Sequence, residues 1–149
     1  MTHRTRPLLR LGVAALALLL ASSAIAACSV VGSGLVGPTW RVTAVATTAP
    51  AWQAVVPAAE SLRYTITFAN DGTAAIKADC NQVTAAYTTT PGGTITITPG
   101  PSTLAVCPEG SMGQPFVAAL SAVTSYSVNG NELTLRHPDN SRLELTGRS

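Results

Sequence analysis

Leu62-Arg63-Tyr64-Thr65-Ile66-Thr67-Phe68-Ala69-Asn70-Asp71-Gly72-Thr73-Ala74-Ala75-Ile76-Lys77-Ala78 is the stretch on which the fold turns. Its first seven residues carry apolar side chains at every second position, the period of a strand with one buried face. Asn70-Asp71-Gly72 then reads as a three-residue hairpin loop, with Gly72 at the left-handed position that a residue lacking Cβ adopts without steric cost. Setting Ala69 opposite Thr73 pairs Phe68 with Ala74, Ile66 with Ile76 and Tyr64 with Ala78. Carried two residues further, the same parity turns Cys80 inward and leaves Lys77 and Asp79 to solvent.

Working outward, residues 83–88 supply a return strand, and Pro91-Gly92-Gly93 turns the chain into an alternating run over 94–98. Pro99-Gly100-Pro101 is expected to break that strand, and residues 103–107 make a further short extended run. After Gly110 the period changes. Phe116, Ala119, Leu120 and Val123 fall at helical spacing and Pro115 suits a first turn, so a short helix is expected over 114–122. Beyond it, a Gly130-Asn131 turn sets Tyr126 and Val128 against Leu135 and Leu133, and a turn at Pro138-Asp139-Asn140 sets those leucines against Leu143 and Leu145. On the N-terminal side, residues 39–46 alternate around Trp40, Val42 and Ala44, whereas 47–61, with Pro50, Pro57 and many alanines, read as a long loop carrying Trp52, Val55 and Val56. The fold class expected is mostly β: a small antiparallel β-barrel-like domain of about eight strands with one short helix.

The first part of the chain reads as an address. His3, Arg4, Arg6 and Arg10 precede an uncharged apolar run, the layout of a secretory signal. Ile25-Ala26-Ala27-Cys28 resembles the lipobox of bacterial lipoproteins, which implies cleavage before Cys28 and lipid attachment to its sulfur. A plain cleaved signal and a retained anchor are the alternatives, the latter disfavoured because 11–27 is short for a membrane span. The organisation expected is a signal over 1–27, a lipidated tether over 28–36 and one folded domain over 37–149. Two or more acyl chains on one cysteine make a stable anchor, placing the protein outside the cytoplasm on a membrane. Gly32-Ser33-Gly34-Leu35-Val36-Gly37 matches the dinucleotide-binding pattern letter for letter, but Pro38 stands where its helix should continue and no strand precedes it. A flexible tether accounts for those glycines, and no cofactor is expected.

Three of the nine basic residues lie before Cys28, so the remainder holds six against seven acidic groups and is near −1. The overall charge of +2 therefore belongs to the leader, and nothing basic remains to favour nucleic acid. With Cys28 acylated, Cys80 and Cys107 are left, an even pair that outside the cytoplasm is normally bonded, two buried thiols being the alternative.

The folded part resembles the META domain, also called the HslJ-like family. Gly37-x-x-Trp40-x-Val42, Ile66-x-Phe68-x-x-Asp71-Gly72, Cys80-Asn81 with Tyr87, Thr103-x-x-x-Cys107, Phe116-x-x-x-Leu120 and Tyr126-x-Val128-x-Gly130-x-x-Leu133-x-Leu135 carry the resemblance, in that order. Asp79 and Ala85 stand where the family commonly has glycines, which puts the local backbone around Cys80 in question. The resemblance implies a compact β domain of bacterial envelope lipoproteins, with links to stress tolerance and no established reaction, substrate or cofactor.

Chemistry-bearing residues are few. After Cys28 there is one histidine, His137, and its neighbour Asp139 is more readily a turn former than a catalytic partner. Neither a catalytic set nor a metal site is expected, and the protein is read as a non-enzyme. Asn81 reads as a structural amide that bonds backbone beside the disulfide. Trp40 and Tyr87 read as core aromatics. Trp52, Val55 and Val56 either cap an open barrel end or form an apolar patch for an envelope protein partner or the nearby lipid surface. The alternative function is a small apolar ligand inside the barrel, against which stand the many large side chains available to fill it.

Overall fold

A computed structural model describes residues 34–48 and 51–148, with the side chains of 51–53 excepted; the expected signal over 1–27 and Cys28 lie outside the described residues. Nine strands occur among them: β1 (Thr39–Thr48), β2 (Ala51–Val55), β3 (Tyr64–Phe68), β4 (Thr73–Ala78), β5 (Asn81–Thr89), β6 (Ile95–Ser102), β7 (Ser125–Asn129), β8 (Glu132–Arg136) and β9 (Arg142–Arg148). Two helices accompany them, α1 (Ala58–Ser61) and α2 (Gly113–Ser121). All ladders between these strands are antiparallel, in the order β6-β5-β4-β3-β1-β9-β8-β7, with β2 paired to β1 off that path. The sheet is a curled half-barrel whose two end strands meet at one point, where Thr94 bridges Ser125 and the Tyr126 amide donates to the Gly93 carbonyl (2.8 Å).

The central hairpin forms in the register its loop dictates. Tyr64 lies opposite Ala78, Ile66 opposite Ile76 and Phe68 opposite Ala74, all six buried, and Gly72 sits at φ 81°. The C-terminal meander likewise pairs Tyr126 with Leu135, Leu133 with Leu145 and Leu135 with Leu143. Trp40, Ile66, Ile76, Leu120 and Leu135 are fully buried and belong to one apolar core. Phe116 of α2 meets Tyr64 edge to face, with centroids 5.8 Å apart. Side chains thus fill the interior.

Four expectations change, each for a physical reason. Residues 47–61 are not a loop: β1 runs on to Thr48, β2 folds back on it, and one helical turn follows Pro57. The register of β1 slips between Val42 and Ala44 against β9, and beyond this bulge β1 exchanges β3 for β2 as its neighbour. Second, β6 continues through Pro99-Gly100-Pro101 to Ser102, because an end strand tolerates residues that cannot donate to a ladder. Third, residues 103–107 form no ladder of their own.

Fourth, Asp79 is buried and Cys80 exposed, the reverse of the parity count. Asp79 takes φ 65°, so β4 and β5 are joined by a two-residue turn and the alternation stops at Ala78. At this position, where the resemblance implies a glycine, the aspartate takes the left-handed region, which it is one of the few side chains to visit readily. Just before Gly37, Leu35 is 2% exposed and Val36 bridges Phe68.

Candidate functional site

Asp79 ties together three elements at one end of the half-barrel. Its two carboxylate oxygens accept from Arg63 Nε and a terminal guanidinium nitrogen, each at 2.7 Å, while its amide donates to the Arg63 carbonyl at 2.7 Å. The Arg63 hydrogen bonds, with a further one from Ser111, hold this carboxyl below the usual carboxylate range. Ser111 leads into α2, and Gly113 at its start packs so closely that a Cβ there would lie 2.7 Å from the Ala78 carbonyl. Helix and hairpin are thereby locked, which fixes the walls of the groove between α2 and the β1–β2 hairpin.

That groove is the principal candidate site. It encloses about 320 Å³ and is lined almost wholly by apolar groups, among them Val42, Val45, Val55, Val56, Met112 and Phe116, with Glu60 at its edge. Val55 is 77% exposed and Met112 is half exposed. The structure therefore brings Val55 and Val56, two of the three residues of the expected patch, together on one apolar surface. Trp52 lies in β2 opposite Thr47, and its side chain is outside the described residues. Nothing local to the valines signals that α2 completes the surface, since Met112 and Phe116 stand about sixty residues further along the chain.

Cys80 and Cys107 are bonded, with Cα atoms 5.5 Å apart. Asn81 does what its position suggested. Its Oδ1 accepts from the Ala105 amide (2.8 Å) and the Thr103 hydroxyl (2.9 Å), and its Nδ2 donates to the Ala105 carbonyl (3.1 Å) and Cys107 Sγ (3.3 Å). One side chain thus replaces the missing ladder along 103–107. Behind this run lies a second cleft of about 260 Å³, bounded by Asn81, Pro99, Ala105, Ser111 and Gln114.

His137, Asp139 and Ser141 occur in one turn, but not in the order that catalysis by serine requires. Asp139 accepts directly from the Ser141 hydroxyl and amide, each at 2.9 Å, and these bonds hold its carboxyl below the usual range. The His137 amide donates to the Ser141 carbonyl, closing the turn. A general base must instead receive the serine proton. Trp40 is fully buried, and Tyr87 stacks edge to face on Phe68 with its hydroxyl donating to the Ala69 carbonyl (2.7 Å). Among the described residues no cluster of three or more His, Cys, Asp or Glu is placed to hold a metal.

Comparison with known proteins agrees with this architecture. The family model described as "META domain" matches residues 33–149. Among solved structures, the NMR structure of a protein from Burkholderia xenovorans is similar with a TM-score of 0.59, 18% identity, and coverage of 77% of this chain and 84% of that one. The crystal structure of a DUF4847 family protein from Bacteroides vulgatus is similar with a TM-score of 0.53 and 18% identity, over 75% of this chain and 93% of that one. At such identity the likeness is one of fold. No curated protein matches the chain.

Proposed function

The chain belongs to the META domain family, and from that premise we propose that it works as a non-catalytic, lipid-anchored module of the bacterial cell envelope, docking an envelope protein in the apolar groove at Val55 and Val56 in support of envelope maintenance or stress tolerance. The observation that carries the reading is the groove itself: an apolar, partly exposed surface whose walls are fixed by the Asp79 network and by α2. A groove of this kind takes a hydrophobic anchor from a partner, with contact energy concentrated on a few enclosed side chains.

The anchor geometry favours a protein over the membrane as occupant. The chain enters the domain where Val36 bridges Phe68, while the groove lies further along β1, at Val42 and Val45, and beside Tyr64 at the far end of β3. Cys28 stands seven residues before Leu35, a reach of at most about 25 Å. A short tether that enters at the other end of β1 and β3 supports a protein, rather than the bilayer, as the occupant of the groove.

A photo-crosslinking side chain placed at Val55 in growing cells should give a discrete protein adduct that the same probe at Lys77, on the outer face of β4, does not. A probe at Trp52 should give the same adduct, and Val56→Asp should abolish both. Equal yields from Val55 and Lys77 would count against docking. The second reading, a small apolar ligand, draws on the size of the groove, at the lower bound of about 300 Å³ for ligand pockets; it predicts an adduct of a few hundred daltons in place of a protein band.

A further inference from the structure

Two of the most exposed apolar side chains lie away from the groove, on the run closed by the disulfide. Leu104 is 92% and Val106 99% exposed, yet the backbone that bears them is held firmly. On one side of Leu104, the Thr103 amide donates to the Gln82 carbonyl (3.0 Å), and its hydroxyl accepts from the Gln82 amide (2.9 Å) while donating to Asn81. On the other side, the amide and carbonyl of Ala105 are both bonded to the Asn81 side chain, and Cys107 is tied to Cys80. Residues before and after the Leu104–Ala105 bond are thus fixed to the same support, Cys80-Asn81-Gln82, while Leu104 itself projects into solvent.

An apolar side chain on a loop ordered in advance loses little entropy on insertion into a pocket. Because Asn81 engages both main-chain groups of Ala105, the loop is pinned from within, leaving its outer side for a cleft that receives an extended chain. We propose that residues 103–107 form an inhibitory loop for serine endopeptidases with an apolar primary pocket, Leu104 being the residue that enters the pocket. The support at Asn81 explains why such an enzyme would be stalled. When the enzyme's serine oxygen adds to the Leu104 carbonyl carbon, the Leu104–Ala105 C–N bond breaks and the serine proton passes through the enzyme's base to the Ala105 nitrogen. The released amine stays bonded to Asn81 and tethered through Cys107, so it re-attacks the acyl carbon, expels the serine and restores the peptide bond. Hydrolysis would need that amine to leave.

The test uses the purified protein with chymotrypsin and trypsin, whose primary pockets are apolar and acidic respectively. The expected result is stoichiometric inhibition of chymotrypsin with a constant of about 1 μM or tighter, and unimpaired trypsin. Leu104→Lys, at a site too exposed to affect folding, should weaken chymotrypsin inhibition at least about 30-fold and create trypsin inhibition. Asn81→Ala should turn the loop into a substrate cut after Leu104. Full chymotrypsin activity at a several-fold molar excess of the protein, rapid cleavage of the unaltered loop without inhibition, or an unchanged pattern for Leu104→Lys would each overturn the proposal.

Discussion

Trp40→Ala is expected to lower the free energy of unfolding by about 3–5 kcal/mol, the range for removing a large aromatic from a packed core. Trp40 is fully buried, and its Nε1–H donates to the Leu35 carbonyl at 2.8 Å. Gly147 on β9 leaves the space the indole occupies, since a Cβ there would lie 2.9 Å from Cζ3 of the ring. Truncation therefore opens a cavity and also strips the Leu35 carbonyl of its donor, in a segment where Leu35 is itself buried. Denaturant titration should show a lower midpoint at unchanged slope. Trp40→Phe, which keeps most of the volume and loses the hydrogen bond, should retain more than half of the difference. A loss below about 1 kcal/mol for the alanine variant would mean that Trp40 is not packed against Leu35 and Gly147 as described.

Replacing both Cys80 and Cys107 by serine should cost about 3–4 kcal/mol if the crosslink acts mainly on the unfolded chain. The bond spans 27 residues, so its removal restores considerable freedom to the denatured state. It also frees the run 103–107, leaving Asn81 and Gln82 as its remaining supports. Thiol reductant added to the unaltered protein should reproduce the loss, and near-equal midpoints for oxidised and reduced protein would remove the disulfide from any account of stability.

How far the sequence could be read depends on where its local rules are set by local chemistry. The register of β3 and β4 was legible because Asn70-Asp71-Gly72 fixes both loop length and φ, and the alternation on either side agrees with it. The leucines of β8 and β9 were legible for the same reason, two short turns with one apolar face. By contrast β2 carries no period of its own; Ala51–Val55 is a strand because β1 offers it an edge beyond the bulge at Thr43, which is a tertiary cause. Asp79 misled the parity count because a left-handed aspartate ends a strand as a glycine would, without the glycine to signal it. At the site, Val55 and Val56 were found by composition alone, and Asn81 by its place beside a cysteine. The groove wall from α2 was out of reach, since a helix face can be read as apolar without revealing which strand it covers. In the sequence, Leu104 and Val106 belong to an ordinary extended run. Their exposure follows from Asn81 taking the place of a neighbouring strand, an arrangement visible only once the amide's four partners are known.

The proposed envelope role rests on Cys28 heading an acylated, oxidised chain, and intact mass analysis of the protein extracted from membranes tests it most directly. The account predicts a polypeptide beginning at Cys28, heavier by its acyl chains and lighter by the two hydrogens of the Cys80–Cys107 bond. A product that retains Met1 and carries three free thiols would contradict it.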